Sequence, residues 1–178
     1  MRENPYKPID FNDFWQSRVE AWMLEGVKDC VKNKINIGAM TLIFCYIDFF
    51  GSISKPKLET RQRFYYFLEN YLGKIDPRYS TFKCMLYENF RCGLVHEFVM
   101  KKGAGIFRGD DKNDAGYEHF GIHNDALFLD VLKLKNDFIT SVNKLKEDLD
   151  GNIECKKIAI NYLRDELRWS LPEENIKK

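Results

Sequence analysis

YENFRCGLVHEF, residues Tyr87–Phe98, is the stretch on which the fold and any site both turn. It lies late in an apolar, helix-patterned run and holds one of only three histidines, His96, five residues after Arg91 with Gly93 between them. On a regular α-helix, five steps of about 100° leave the two side chains about 140° apart, on different faces. They meet only if the long arginine wraps round, if Gly93 loosens the turn, or if a second chain closes the gap. Glycine inside a helix costs roughly 1 kcal/mol relative to alanine, so its presence points to close approach by another backbone.

If the two side chains do meet, their chemistry suits a phosphate. An imidazole with an ordinary pKa near ~6.5 takes or gives a proton at neutral pH. A guanidinium stays charged and offers a fork of N–H donors that matches phosphate oxygens. Metal-independent RNA cleavage needs a base for the ribose 2′-hydroxyl, an acid for the leaving 5′-oxygen and positive charge at phosphorus. One Arg/His pair supplies the charge and one proton carrier, and two pairs across a symmetric dimer supply the full set. The competing local explanation is a half-buried His96 bonded to a nearby carboxylate or carbonyl, with Arg91 paired to Glu88.

Working outward, Phe11, Phe14, Trp15, Val19, Trp22, Met23, Val27 and Cys30 form one amphipathic stripe, with Asp10 or Asp13 as its N-cap. The stretch WQSRVEAWMLEG is read as core packing in preference to a partner-binding helix. A second helix runs through NIGAMTLIFCYIDFF to Gly51, where a left-handed turn is expected to end it. The connector SISKP follows. A third helix, about 57–72, turns Leu58, Phe64, Phe67, Leu68 and Tyr71 inward and stops at Gly73. A fourth, capped by Ser80 or Thr81, contains TFKCMLYENFRCGLVHEFVMKK.

The helical pattern lapses over about 103–122, where a small β-hairpin or ordered loop is expected. It returns from about Asp125 to Leu149, with Leu127 inward, breaks at Gly151, and resumes from Ile153 to about Trp169. The tail, about 172–178, is expected to fray. The expected architecture is therefore a single all-α domain over 1–178, a bundle of five to six helices with one small insertion.

Composition narrows the function classes. At 178 residues and 44% hydrophobic the chain supports one real core. Its charges nearly cancel to +1, so no global basic field draws nucleic acid in, and an RNA partner would need a local patch or a surface made by two chains. Five scattered cysteines without a CxxC pair suit reduced, buried thiols. The amino end lacks an apolar signal core, and the longest apolar stretch, about 37–50, carries Asp48 and falls short of the ~20 residues of a membrane span. A cytoplasmic protein that does not enter a membrane is the expectation.

Several other patterns fail on inspection. His119 and His123 are four apart, but Phe120-Gly121-Ile122 between them reads as strand or loop, so no metal site is expected there. A calcium loop started at Asp111 would place Ala115 and Ile122 where oxygen ligands belong. KKGAG lacks the spacing and Lys-Ser/Thr ending of a phosphate loop. No cofactor is expected.

A helical bundle carrying Arg, a short gap and then His resembles the HEPN superfamily, found among toxin and defence ribonucleases. The bundle from about Phe11 to Trp169 is covered by the resemblance, and only YENFRCGLVHEF is motif-specific. It implies Arg91 as the phosphate-contacting cation, His96 as the proton-transfer residue and Asp48, from IFCYIDFF, as an acid that orients the arginine. It also implies a homodimer acting on RNA, with a protein antitoxin or regulator as a further partner. Two departures stand out: Cys92 follows the arginine where many members carry a polar residue such as Asn, and Phe98 replaces a tyrosine that serves some toxins as a modification target. A non-catalytic helical module that binds nucleotide, RNA or protein through the same cleft is the alternative.

Overall fold

A computed structural model describes residues 10–165, so the expected helix end near Trp169 and the tail at 172–178 lie outside the described residues. Helix α1 (11–32) begins where the Asp10 carboxylate accepts the Asp13 N–H. Helix α2 is Asn36–Ser54. Helix α3 (60–75) is entered through a reciprocal capping box between Glu59 and Gln62. A single turn, α4 (Arg78–Thr81), leads into α5 (83–97). After a small sheet come α6 (Val131–Gly151), N-capped by the Asp130 carboxylate, and α7 (Ile153–Asp165). The structure is thus mostly helical, as expected.

Helix α2 is the central strut, touching α1, α3, α5, α6 and α7. By length and composition its 19 residues would suffice to cross a membrane. Here they bury Met40, Ile43, Phe44, Ile47, Phe50 and Ile53 against the other helices. Phe44 stacks between Phe64 and Phe90, with ring centroids 6.1 and 5.8 Å away. Phe50 meets Trp15, Phe67 and Phe138 at 6.0, 5.9 and 6.0 Å. Each such side chain contributes roughly 1.5–3 kcal/mol by leaving water.

Several expectations need correction. Gly51 does not end α2 but lies buried inside it; a Cβ there would stand 2.3 Å from the Arg63 carbonyl oxygen of α3. The glycine sets how closely the two helices cross. In α1, residues Trp15–Leu24 wind as a π-helix, which turns Trp15, Val19 and Leu24 inward and leaves Trp22 64% exposed. The Arg18 guanidinium covers one face of that indole at 3.8 Å. The cysteines expected to be buried are not: Cys84 and Cys155 are exposed, and Cys30, Cys45 and Cys92 are partly buried.

The insertion is larger than a hairpin or loop over 103–122. Strands β1 (Ala104–Phe107), β2 (Gly121–His123) and β3 (Ala126–Asp130) form a sheet of order β1-β3-β2. β3 runs parallel to β1, pairing Ala104 with Leu127 and Phe107 with Asp130, and antiparallel to β2, pairing Gly121 with Phe128. The β2–β3 turn is Asn124-Asp125, both at positive φ, as a type I′ turn requires. Leu127 is therefore on a strand, not on a helix.

A buried polar chain fastens this sheet to the bundle. The Tyr79 hydroxyl donates to Asp137 Oδ2 at 3.0 Å, and Lys133 Nζ reaches the same carboxylate at 2.8 Å. His119 Nδ1 accepts the Asp130 N–H at 3.0 Å, which leaves Nε2 as the donor to Tyr79 Oη at 3.1 Å. Burial, with the Arg78 and Lys133 cations nearby, lowers the His119 pKa to about 4. The fold therefore prefers the neutral ring. Its stabilisation is full above the unfolded value near ~6.5 and is lost as pH falls toward about 4, by up to roughly 3 kcal/mol. Urea midpoints across this pH range should fall with acid, and His119→Gln should flatten that slope.

Candidate functional site

Asp48 comes from the middle of α2, and Arg91 and His96 come from the last turns of α5. The Arg91 Nε–H donates to Asp48 Oδ2 at 2.6 Å, and Arg91 Nη1 lies 2.7 Å from His96 Nε2. The three residues are thus brought into one line. Asp48 and Arg91 form its half-buried base, at 16% and 13% side-chain exposure, and His96 is exposed at its outer end. The face of Tyr87 underlies the guanidinium at 5.5 Å.

The separation of about 140° that a regular α-helix imposes does not arise, because α5 is not regular. It winds as a π-helix over Leu86–Arg91 and again over Gly93–Glu97. A π-helical hydrogen bond spans i to i+5, so the residue five steps on comes back round to the side of the first. Arg91 and His96 stand at that spacing.

Gly93 explains how the wide turns end. A Cβ on it would lie 2.4 Å from the Val99 carbonyl oxygen and 3.0 Å from the Lys101 nitrogen. The backbone that approaches is the chain's own return segment, not a partner's. Phe98 adopts a left-handed conformation at φ +58°, ending α5 at Glu97 short of the expected Lys102. The Lys101 N–H then donates to the Asn89 carbonyl at 2.9 Å, and the Asn89 amide reaches the Lys102 carbonyl at 3.3 Å. Phe98 is held on the surface at 77% exposure.

Among the described residues, neither element of the competing local explanation is present. Glu88 pairs with Arg61 at 2.5 Å, not with Arg91, and the hydrogen bond of His96 is to Arg91. Burial pushes the Asp48 carboxyl above its ordinary range, opposed by the charge and hydrogen bond of Arg91 and then by the charge of Arg63. The same burial raises the Cys45 thiol one turn earlier on α2. Asp48 Oδ1 has no hydrogen-bond partner among the described residues.

Two contributors escaped the sequence. Ser52 Oγ donates to the Asp48 carbonyl at 2.9 Å and accepts from Arg63 Nη1 at 3.1 Å. Asp48 and Ser52 share a helix face and were in principle visible as an i, i+4 pair. Arg63 reaches the group from α3, a placement set by the Gly51 crossing, and no local pattern announces it.

The other histidines belong elsewhere. His119 is in the chain that ties down the sheet, and the His123 ring meets Tyr117 and Phe128 at 4.9 and 5.7 Å. Among the described residues no cluster of three or more His, Cys, Asp or Glu side chains is gathered for a metal. Asp111 caps a short turn by accepting the Asn113 N–H. An apolar hollow between residues 54–58 and Ile158 of α7 is lined by none of the three site residues.

Because the return segment rests on a bare α-carbon, Gly93→Ala should destabilise the fold by about 1–3 kcal/mol in urea unfolding through overpacking. The chain matches no protein-family model, no characterised protein and no solved structure.

Proposed function

We propose that this chain is a HEPN-type helical protein and, as a homodimer, a metal-independent endoribonuclease of a toxin or defence system. The observation that carries the proposal is the line Asp48–Arg91–His96, with a 2.6 Å contact on one side of the guanidinium and a 2.7 Å contact on the other. An acid orients a permanent cation, and that cation lies beside a proton carrier open to solvent. This is the donor set that a phosphodiester with a neighbouring hydroxyl requires.

In the proposed reaction an imidazole accepts the ribose 2′-hydroxyl proton as the 2′-oxygen attacks phosphorus. The bond to the 5′-oxygen breaks, and that oxygen takes a proton from the second ring, an imidazolium contributed by the partner copy, which is left neutral. The products are a 2′,3′-cyclic phosphate and a 5′-hydroxyl, with protons and electrons balanced and no co-reactant. Arg91 holds the non-bridging oxygens, where negative charge grows during attack. Asp48 touches neither RNA nor the reacting atoms; it is a positioning residue.

Purified full chain in EDTA should cut RNA to these ends. His96→Ala should lower the rate about 10²–10⁴-fold, the usual worth of a general acid or base, and leave the melting temperature unchanged because the ring is exposed. Sedimentation should give a dimer. Equal RNA binding by both proteins with cutting by neither would replace this proposal with the non-catalytic module.

A further inference from the structure

We infer that the Arg91–His96 hydrogen bond caps the basic nitrogen of the imidazole in the resting protein, and that a bound phosphate group removes the cap by drawing the guanidinium to itself. The inference rests on the ribonuclease proposal only for the use His96 makes of that nitrogen. The cap itself stands on geometry.

A guanidinium carries N–H donors and no acceptor. Two nitrogens 2.7 Å apart cannot both point hydrogens at each other, so His96 Nε2 is the acceptor and the ring proton is on Nδ1. A neutral imidazole has one lone pair in the ring plane able to take a proton. In this structure Arg91 occupies it, and a base so engaged does not accept a proton from a hydroxyl.

The other end of the guanidinium explains how the cap is released. Asp48 holds Arg91 through one bond, Nε–H to Oδ2, and Oδ1 takes no part. The arginine is pinned at one corner instead of gripped along a two-toothed edge, so Nη1 and Nη2 can be redirected without breaking the ion pair. A phosphate oxygen carries negative charge and the ring nitrogen none, so the permanent cation gains from phosphate a Coulomb attraction that the neutral ring does not offer. A phosphate therefore outcompetes the neutral ring for Nη1. One event then places the cation on phosphate and uncovers Nε2 beside it. The exposed position of His96 leaves its ring room to meet the incoming hydroxyl.

The test is ¹⁵N NMR of the His96 ring in the full-length, ¹⁵N-labelled protein at pH 8, titrated with inorganic phosphate and, separately, with sodium chloride at equal ionic strength. Without phosphate, Nε2 is expected at the position of an unprotonated ring nitrogen. Saturating phosphate should move it further from the protonated position, as a ring lone pair does when it loses its hydrogen-bond donor, in step with a shift of the Arg91 Nε–H signal, and chloride should not. In Arg91→Met the Nε2 signal should no longer respond to phosphate, and circular dichroism reports whether that variant is folded. A protonated Nε2 in phosphate-free wild type overturns the inference, as does a phosphate-induced Arg91 shift that leaves Nε2 unmoved. Wild type alone decides if the variant fails to fold. Because no RNA is present, a protein that never cuts RNA can still show the switch, and one that cuts RNA without it overturns the cap alone.

Discussion

The winding of α5 is the constraint from which the rest of the site follows. Had residues 83–97 kept α-helical pitch, Arg91 would face α2 and His96 would point well away from it. Two π-helical stretches delay the rotation, so that Arg91 reaches Asp48 of α2 and His96 comes within hydrogen-bond reach of Arg91. Wide turns have poorer contacts of their own and persist only where surroundings hold them. Here the holding is local: the return segment lies on Gly93, is bonded to Asn89, and fixes the left-handed Phe98 at the end of the helix. The glycine and the site are one structural device.

Under this device stands an aromatic core that leaves α2 little freedom. Phe44 and Phe50 each contact rings from other helices, and Phe90, one residue before Arg91, stacks on Phe44. Successive residues of α5 thus serve packing and chemistry: Phe90 fixes the height of the helix on α2, and Arg91 reaches across to Asp48. The tight crossing at Gly51 does the same for α3 and delivers Arg63 to the neighbourhood of the carboxylate.

The sequence made most of the helices legible because their apolar residues recur at helical spacing, and it singled out Asp48, Arg91 and His96. What it concealed has a common cause. Pattern reasoning assumes α-helical pitch, so it placed Trp22 inside and kept Arg91 and His96 apart, and π-helical winding reversed both. It assigned Gly51 to a helix end because the partner whose approach requires a glycine, the Arg63 backbone, is remote in sequence. It missed the sheet beyond 122 because the pairing of β1 with β3 is parallel and non-local, and Leu127 continues the helix stripe of Val131 and Leu134 as readily as it starts a strand face. The Asn124-Asp125 turn was the available signal, since both residue types tolerate positive φ.

Asp48 makes the energetic logic of the site explicit. A half-buried ion pair is weak evidence for stability, since desolvating both charges offsets much of their attraction. That balance is visible here, where burial outweighs the nearby cations and raises the carboxyl's pKa. A well-packed apolar pair at these positions would hold α2 to α5 at no greater cost. What such a pair would lack is direction. An unrestrained arginine carries about 2 kcal/mol of rotamer entropy. Asp48, by taking Nε alone, spends part of that freedom and turns the Nη edge outward toward His96 and solvent. The carboxylate therefore contributes orientation more than stability, and its empty second oxygen leaves the guanidinium aimed but still able to move.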